Sequence, residues 1–180
     1  YLAMIVRNRS KNGNKINLDE ISIGMLGEIS GGRKTMEGFH NLRDLSIPIG
    51  WENQLKNEVT INILKEKIGI IEISDNIRIE PHVIASLGTG FSYIGGGCGV
   101  LFGSRWDSLS PRYRLQLVGS DFENSKNGIR FFSGIECRYL VRNILLDGNT
   151  YVESSQISKE KLVYDFQTGI ELRVFSKISM

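Results

Sequence analysis

The stretch GIRFFSGIECRYLVR, residues 128–142, alternates between apolar and mostly polar side chains. Successive side chains of a β-strand point to opposite faces of its sheet, so this spacing predicts a strand with one apolar and one mostly polar face. The apolar set Ile129, Phe131, Ile135, Cys137, Tyr139 and Val141 opposes Arg130, Phe132, Glu136, Arg138 and Arg142.

The same alternation recurs along the chain. It predicts a strand over Trp51–Lys65, with Leu55, Val59, Ile61 and Ile63 opposite Gln54, Glu58, Thr60 and Asn62. It predicts another over Lys161–Lys177, whose apolar set includes Leu172 and Val174. Further strands are predicted over Tyr1–Arg9, Asn17–Gly27, Ile70–Ser74, Ile77–Gly88, Phe91–Gly103 and Arg112–Phe122. Glycines line one face of Phe91–Gly103, which suits either a sharp bend of the sheet or the close approach of another group.

One segment breaks the strand pattern. Met36, Phe39, His40 and Arg43 recur at helical spacing between Gly31 and Ile47, and Pro48 and Gly50 follow. This predicts one short helix near residues 33–46.

Eight or nine strands in hairpin order predict an all-β fold, an antiparallel up-and-down barrel forming a single domain over residues 1–180. Two orientations fit the alternation. Polar residues outside and an apolar lumen would make a soluble ligand-binding barrel, whereas apolar residues outside would make an outer-membrane barrel. Long strands, and short turns such as KNGNK alternating with long polar loops, favour the membrane barrel.

The composition of the chain argues against nucleic acid as a partner and against a transmembrane helix. The 180 residues are 41% hydrophobic with a net charge of +2, which gives no basis for nucleic-acid binding. No apolar stretch is long enough for a transmembrane helix. Cys98 and Cys137, on strands predicted to be non-adjacent, are interpreted as small apolar fillers rather than as a disulfide or metal site.

The chain resembles the lipid A 3-O-deacylase family of Gram-negative outer membranes. Four segments carry the resemblance and keep the family's order: IGMLGEIS (residues 23–30), GFHNL (38–42), GWENQLKNE (50–58) and ECRYLVRNILLDGNTY (136–151). It implies a monomeric twelve-stranded barrel embedded in the outer membrane. It also implies calcium-dependent hydrolysis of the ester at the 3-prime position of lipid A, the lipid part of lipopolysaccharide.

The resemblance is incomplete at both ends of the chain. The family's Asn-Asp pair and its hydroxyl residue belong to strands before Tyr1, and Met180 falls short of the family's final strands. We therefore expect an internal portion of such a protein. A catalytically inactive outer-membrane barrel and a soluble ligand-binding barrel remain the alternative functions.

By resemblance, His40 is the catalytic base, and a histidine titrating near neutrality is suited to activating water. Asp44, four residues on, is expected on the same side of the helix, where it would orient the imidazole.

Gln54 and Glu58 are expected either to support His40, a cation or a water, or to make lumen hydrogen bonds without catalysis. His82 is interpreted as a structural lumen residue, and residues 147–150 (DGNT) as a tight turn rather than a calcium loop.

Overall fold

One antiparallel sheet makes up most of the fold. The computed structural model describes residues 2–9, 13–104 and 128–173. Within these ranges the strands are β1 Leu2–Arg9, β2 Lys15–Leu26, β3 Glu58–Gly69, β4 Ile71–Ser74, β5 Ile77–Gly88, β6 Phe91–Gly103, β7 Gly128–Asn143 and β8 Leu162–Arg173. The strand predicted over Arg112–Phe122, and Val174, lie outside the described residues.

Strands that follow each other along the chain are neighbours in the sheet, except that β3 pairs with β5 rather than with the short β4. The order is β1-β2-β3-β5-β6-β7-β8, with β4 paired to β5, and every pairing is antiparallel. This is the predicted up-and-down arrangement. None of the helices among the described residues is long and apolar enough to cross a membrane.

Two helices lie at the same end of the sheet. Helix α1, Gly32–Leu42, joins β2 to β3 after a 3-10 turn at Glu28–Ser30, and α2, Ile144–Asp147, lies between β7 and β8. We call this end the α1 end. The predicted helix near residues 33–46 is confirmed, although it ends earlier, at Leu42.

The two faces of the sheet differ sharply in polarity. The concave inner face carries buried polar and charged side chains, and the outer face carries exposed apolar ones. The inner set includes Glu58, Thr60, Asn62, Glu66, Arg78, Glu80, His82, Arg130 and Glu136, and the outer set includes Val59, Ile61, Ile63, Ile135, Tyr139 and Leu172. This polarity is the reverse of that in a water-soluble protein and is typical of an outer-membrane barrel.

The strand predicted over Trp51–Lys65 is wrong in its first half. Strand β3 begins only at Glu58, and Trp51–Asn53 form a 3-10 turn. Gly50 adopts a left-handed conformation with φ of 97°, and the Asn53 N–H donates to its carbonyl over 3.1 Å. Residues 51–57 lie before the strand begins, so Leu55 and Gln54 do not occupy opposite faces of a strand.

The two cysteines lie on adjacent strands, so the prediction of non-adjacent strands is wrong. Cys98 on β6 pairs with Ile135, and Cys137 on β7 pairs with Gly96. The prediction placed another strand between them, whereas β6 and β7 pair directly. Both thiols are free and half-buried.

Candidate active site

His40 lies in the last turn of α1 and is partly exposed. Its Nδ1 lies 2.6 Å from the carbonyl oxygen of Ser46. Because a carbonyl oxygen only accepts hydrogen bonds, Nδ1 must carry the proton and donate it. In the neutral ring, Nε2 is then left with its lone pair, which is the form required of a general base.

Asp44 does not share a face of α1 with His40, so that expectation is wrong. The helix ends at Leu42, and Asp44 lies in the following turn with a left-handed φ of 52°. The Leu45 N–H donates to the His40 carbonyl over 2.9 Å, which closes this turn at the end of the helix. The ring is therefore oriented by the Ser46 backbone, a group for which a sequence pattern gives no signal.

Glu58 is buried at the first position of β3. Its Oε2 accepts hydrogen bonds from Asn149 Nδ2 at 2.9 Å and from the Thr150 N–H at 2.8 Å. Its Oε1 is buried without a hydrogen-bond partner among the described residues. Glu58 thus fixes the β7–β8 loop and keeps one acceptor oxygen unused.

Asn149 extends this junction along the backbone. Its Oδ1 accepts from the Lys56 N–H and its Nδ2 donates to the Lys56 carbonyl, both at 2.9 Å. Gln54 lies two residues earlier, half-buried at the end of the 3-10 turn. Within the described ranges, neither Gln54 nor Glu58 contacts His40 directly, so their roles in supporting it stay predictions.

A second group of functional side chains lies inside the sheet, away from solvent. His82 Nε2 is 3.0 Å from Glu136 Oε2, and the His82 side chain is fully buried. Arg138 Nε lies 3.3 Å from Glu136 Oε1, and the same guanidinium pairs with Asp165. The interpretation of His82 as an interior, structural residue agrees with this placement.

The glycine face of β6 makes this group possible. Gly97 stands between His82 and Glu136 in the register of the sheet. A Cβ atom at Gly97 would lie 2.9 Å from His82 Cε1 and 2.1 Å from the Ile135 carbonyl oxygen. Close approach, one of the two roles predicted for the glycine row, therefore applies at this position.

The residues 147–150 form the end of α2 and the turn that follows. The Asn143 N–H donates to Asp147 Oδ2 over 2.7 Å, and Lys159 pairs with the same carboxylate. Gly148 follows with φ of 79°, and its N–H donates to the Ile144 carbonyl. The Asp147 carboxylate is thus committed to closing the loop.

The described residues offer few carboxylates to a cation. They contain no group of three or more His, Cys, Asp or Glu side chains placed to hold one metal ion. The unused Oε1 of Glu58 supplies a single buried carboxylate oxygen, whereas calcium takes six to eight oxygen ligands.

An apolar outer face, a charged inner face and a partly exposed histidine at one end define an outer-membrane barrel protein with a candidate hydrolytic site. The model of the family described as outer membrane protein LpxR matches residues 1–176, so the chain belongs to that family. This confirms the resemblance to lipid A 3-O-deacylases and the outer-membrane location.

A solved structure supports the same fold. The chain is similar to LpxR from Salmonella typhimurium with a TM-score of 0.72 and 20% identity, over 91% of this chain and 57% of that one. The chain thus spans a little over half the length of that relative. No curated protein matches the chain.

Proposed function

We propose that the protein is an outer-membrane lipid A 3-O-deacylase in which His40 is the general base. The hydrogen bond between His40 Nδ1 and the Ser46 carbonyl carries the proposal, because in the neutral ring it leaves Nε2 as the proton acceptor of a partly exposed side chain. Membership of the LpxR family supports the reaction class.

The reaction is an ester hydrolysis. Nε2 of His40 takes a proton from a water molecule while the water oxygen bonds to the acyl carbon. The tetrahedral intermediate then collapses, the bond between the acyl carbon and the sugar oxygen breaks, and the imidazolium returns its proton to that oxygen. The products are a free fatty acid and the sugar hydroxyl at the 3-prime position.

Calcium dependence stays part of the proposal, by resemblance to the family. Bound calcium would stabilise the oxyanion of an ester-hydrolysis intermediate. Glu58 Oε1 is a buried carboxylate oxygen near the β7–β8 loop without a hydrogen-bond partner among the described residues, so it would contribute one ligand. Titrating calcium into the detergent-solubilised protein by calorimetry, with Glu58→Gln alongside, tests this contribution.

Replacing His40 tests the catalytic role. In the protein assembled in outer membranes, His40→Ala should lower release of the 3-prime acyl chains by about 10²- to 10⁴-fold, the usual cost of losing a general base. Mass spectrometry of lipid A measures the release. Asn41→Ala, the next residue of α1, is the matched control, and Asp44→Ala should cost less than His40→Ala.

An inactive barrel is the second candidate. The observation in its favour is that the contacts of the His40 ring are to a backbone carbonyl and to Phe39, with no carboxylate among the described neighbours. A folded parent protein that releases no acyl chain at any calcium concentration would favour this candidate.

A further inference from the structure

Helix α1 takes its position from the two chain segments that join it to the sheet. No residue of α1 is buried, and among the described elements none packs along its length. A segment with few buried contacts moves easily, so its connections decide where it lies. Leu26 and Glu58 form the last pair between β2 and β3, and the chain leaves the sheet and returns to it at this place. We call residues 27–31 and 54–57, the two segments beside this pair, the neck of α1.

The first half of the neck is held by Asn57. Its Oδ1 accepts a hydrogen bond from the Ile29 N–H over 2.9 Å. Gly27 makes room for this contact, since a Cβ atom there would lie 2.6 Å from Asn57 Oδ1, and its φ of 85° suits glycine. Ile29 lies inside the 3-10 turn Glu28–Ser30, and only Gly31 separates this turn from α1. Helix α1 therefore begins shortly after the residue that Asn57 holds.

The second half of the neck is held by Asn149, a buried residue of the β7–β8 loop. Its side-chain amide accepts from the Lys56 N–H and donates to the Lys56 carbonyl, both over 2.9 Å. A neighbouring antiparallel strand satisfies the two backbone groups of one residue in the same way. The Asn149 amide thus takes the place of the partner strand that ends at Leu26, and it holds the residue next to Asn57.

The β7–β8 loop that carries Asn149 is itself fixed to the barrel. The Asn149 N–H donates to Ser154 Oγ over 2.8 Å, which closes the loop locally. Arg142 of β7 donates to Thr150 Oγ1 over 2.8 Å and to the Thr89 carbonyl, in the turn between β5 and β6, over 2.7 Å. Asn149 therefore connects the neck of α1 to the strands of the sheet at the α1 end.

His40 lies far enough along α1 to magnify a change at the neck. From Gly32, where α1 begins, to His40 the helix rises about 12 Å, at about 1.5 Å per residue. A rotation of about 5° at the neck moves a side chain at that distance by roughly 1 Å, a misplacement that can cost about 10²-fold in rate. The placement of the imidazole therefore depends on how tightly the neck is closed.

We propose that Asn57 and Asn149 form a clasp that closes the neck and are positioning residues for His40. They act through the backbone of Ile29 and Lys56. The clasp fixes α1 in any case, and its effect on acyl release rests on the proposed function, in which His40 is the general base. Asn57 supplies an acceptor oxygen, whereas Asn149 supplies an acceptor and a donor. An aspartate can therefore replace Asn57 but not Asn149.

Kinetics of substituted proteins test the positioning role. Alanine and aspartate are each introduced at Asn57 and at Asn149, and kcat and KM for acyl release from lipopolysaccharide are measured in detergent micelles. Lys56→Gln is the matched control, because it keeps the backbone groups that Asn149 binds. Heat-modifiable migration on gels verifies that each barrel is folded. Should an alanine variant not fold, the aspartate variants, which have nearly the shape of asparagine, give the same comparison.

Spin labels measure the placement of α1 independently of activity. Cys98→Ser and Cys137→Ser remove the native thiols. One label is then attached after Asn41→Cys in α1, and the other after Ile135→Cys on the exposed face of β7. Double electron–electron resonance gives the distribution of distances between the two labels in the parent and in each variant.

We expect Asn57→Ala, Asn149→Ala and Asn149→Asp to lower kcat by about 10- to 100-fold with little change in KM, and to widen the distance distribution. Asn57→Asp and Lys56→Gln should match the parent in both measurements. Unchanged distance distributions in the two alanine variants would overturn the clasp. Wider distributions with an unchanged kcat would overturn the positioning role. If the parent itself releases no acyl chain, the proposed function fails, and the distances alone decide whether the clasp fixes α1.

Discussion

The two histidines of the chain have opposite surroundings. His40 is partly exposed beside a backbone carbonyl, whereas His82 is buried against Glu136. We expect His82→Ala to lower the free energy of unfolding by about 1–3 kcal/mol, because it removes a buried hydrogen bond to a carboxylate. Urea titration of the refolded protein measures this change.

His40→Ala is the control for His82→Ala, because the two variants should affect stability and activity in opposite ways. It should lower the free energy of unfolding by no more than about 1 kcal/mol, because it removes one partly exposed hydrogen bond to the Ser46 carbonyl. His82→Ala, measured per folded molecule, should leave acyl release nearly unchanged. Loss of acyl release in His82→Ala with activity retained in His40→Ala would place the catalytic centre elsewhere.

Asp147 predicts a pH dependence of the β7–β8 loop. Burial raises the pKa of its carboxyl, but the Asn143 N–H and the Lys159 ammonium lower it more, so the pKa lies below its usual value of 3.8. The stabilisation is complete above the unfolded value and is lost as pH falls through the folded one. We expect amide exchange at residues 143–150, corrected for its intrinsic pH dependence, to show loss of protection below about pH 4. Asp147→Asn should remove this pH dependence.

At the residue scale, the sequence predicts which side chains belong to the candidate site better than it predicts the groups they hydrogen-bond to. The segment around His40 is recognisable from its motif. Its hydrogen bond to Ser46 is not, because a backbone carbonyl is the same at every position. The junction of Glu58 with Asn149 joins positions 91 residues apart, which no local pattern indicates.

At the scale of one strand, the glycines of β6 differ in whether the neighbouring atoms leave room for a Cβ atom. A Cβ atom at Gly97 would meet three groups within 3 Å, whereas at Gly99 the nearest atom would be 3.9 Å away. Gly97→Ala should therefore displace β7 or His82 and lower the folded fraction. Gly99→Ala, on the same face of the same strand, should be tolerated. Heat-modifiable migration on gels reports the folded barrel, and equal behaviour of the two variants would contradict this assignment.

An alternating sequence forms a β-strand only where a neighbouring strand is available to pair with it. Residues 58–65 alternate and pair with β2, but residues 51–57 alternate equally well and do not form a strand. Register explains the difference. Leu26, the last residue of β2, pairs with Glu58, so no partner strand remains for the residues before it.

The orientation of the whole sheet is a property that alternation alone leaves open. Periodicity separates two sets of side chains and does not say which set faces the lumen. The curvature of the sheet decides this by burying Glu80 and Arg130 to 0% and 2% exposure while Ile61 and Ile135 stay half exposed. Curvature arises from the pairing of all the strands, and so it cannot be read from any one of them.

The apolar outer face of the sheet predicts how the whole protein sits in the membrane. Ile61 lies near the middle of the apolar part of β3 and is 52% exposed. Ile61→Arg should destabilise the protein in phospholipid vesicles by about 2–4 kcal/mol, the cost of a cation on the lipid face near the bilayer midplane.

Ile61→Met separates charge from shape in this experiment. It keeps the position apolar at similar volume and should cost less than about 1.5 kcal/mol. Urea titration of the vesicle-bound barrels compares the two variants with the parent. A water-exposed outer face would tolerate the arginine as well as the methionine, because a cation at an exposed position keeps its hydration. Equal stability of the two variants would therefore contradict the membrane orientation, whereas a large difference confined to arginine would place β3 against lipid.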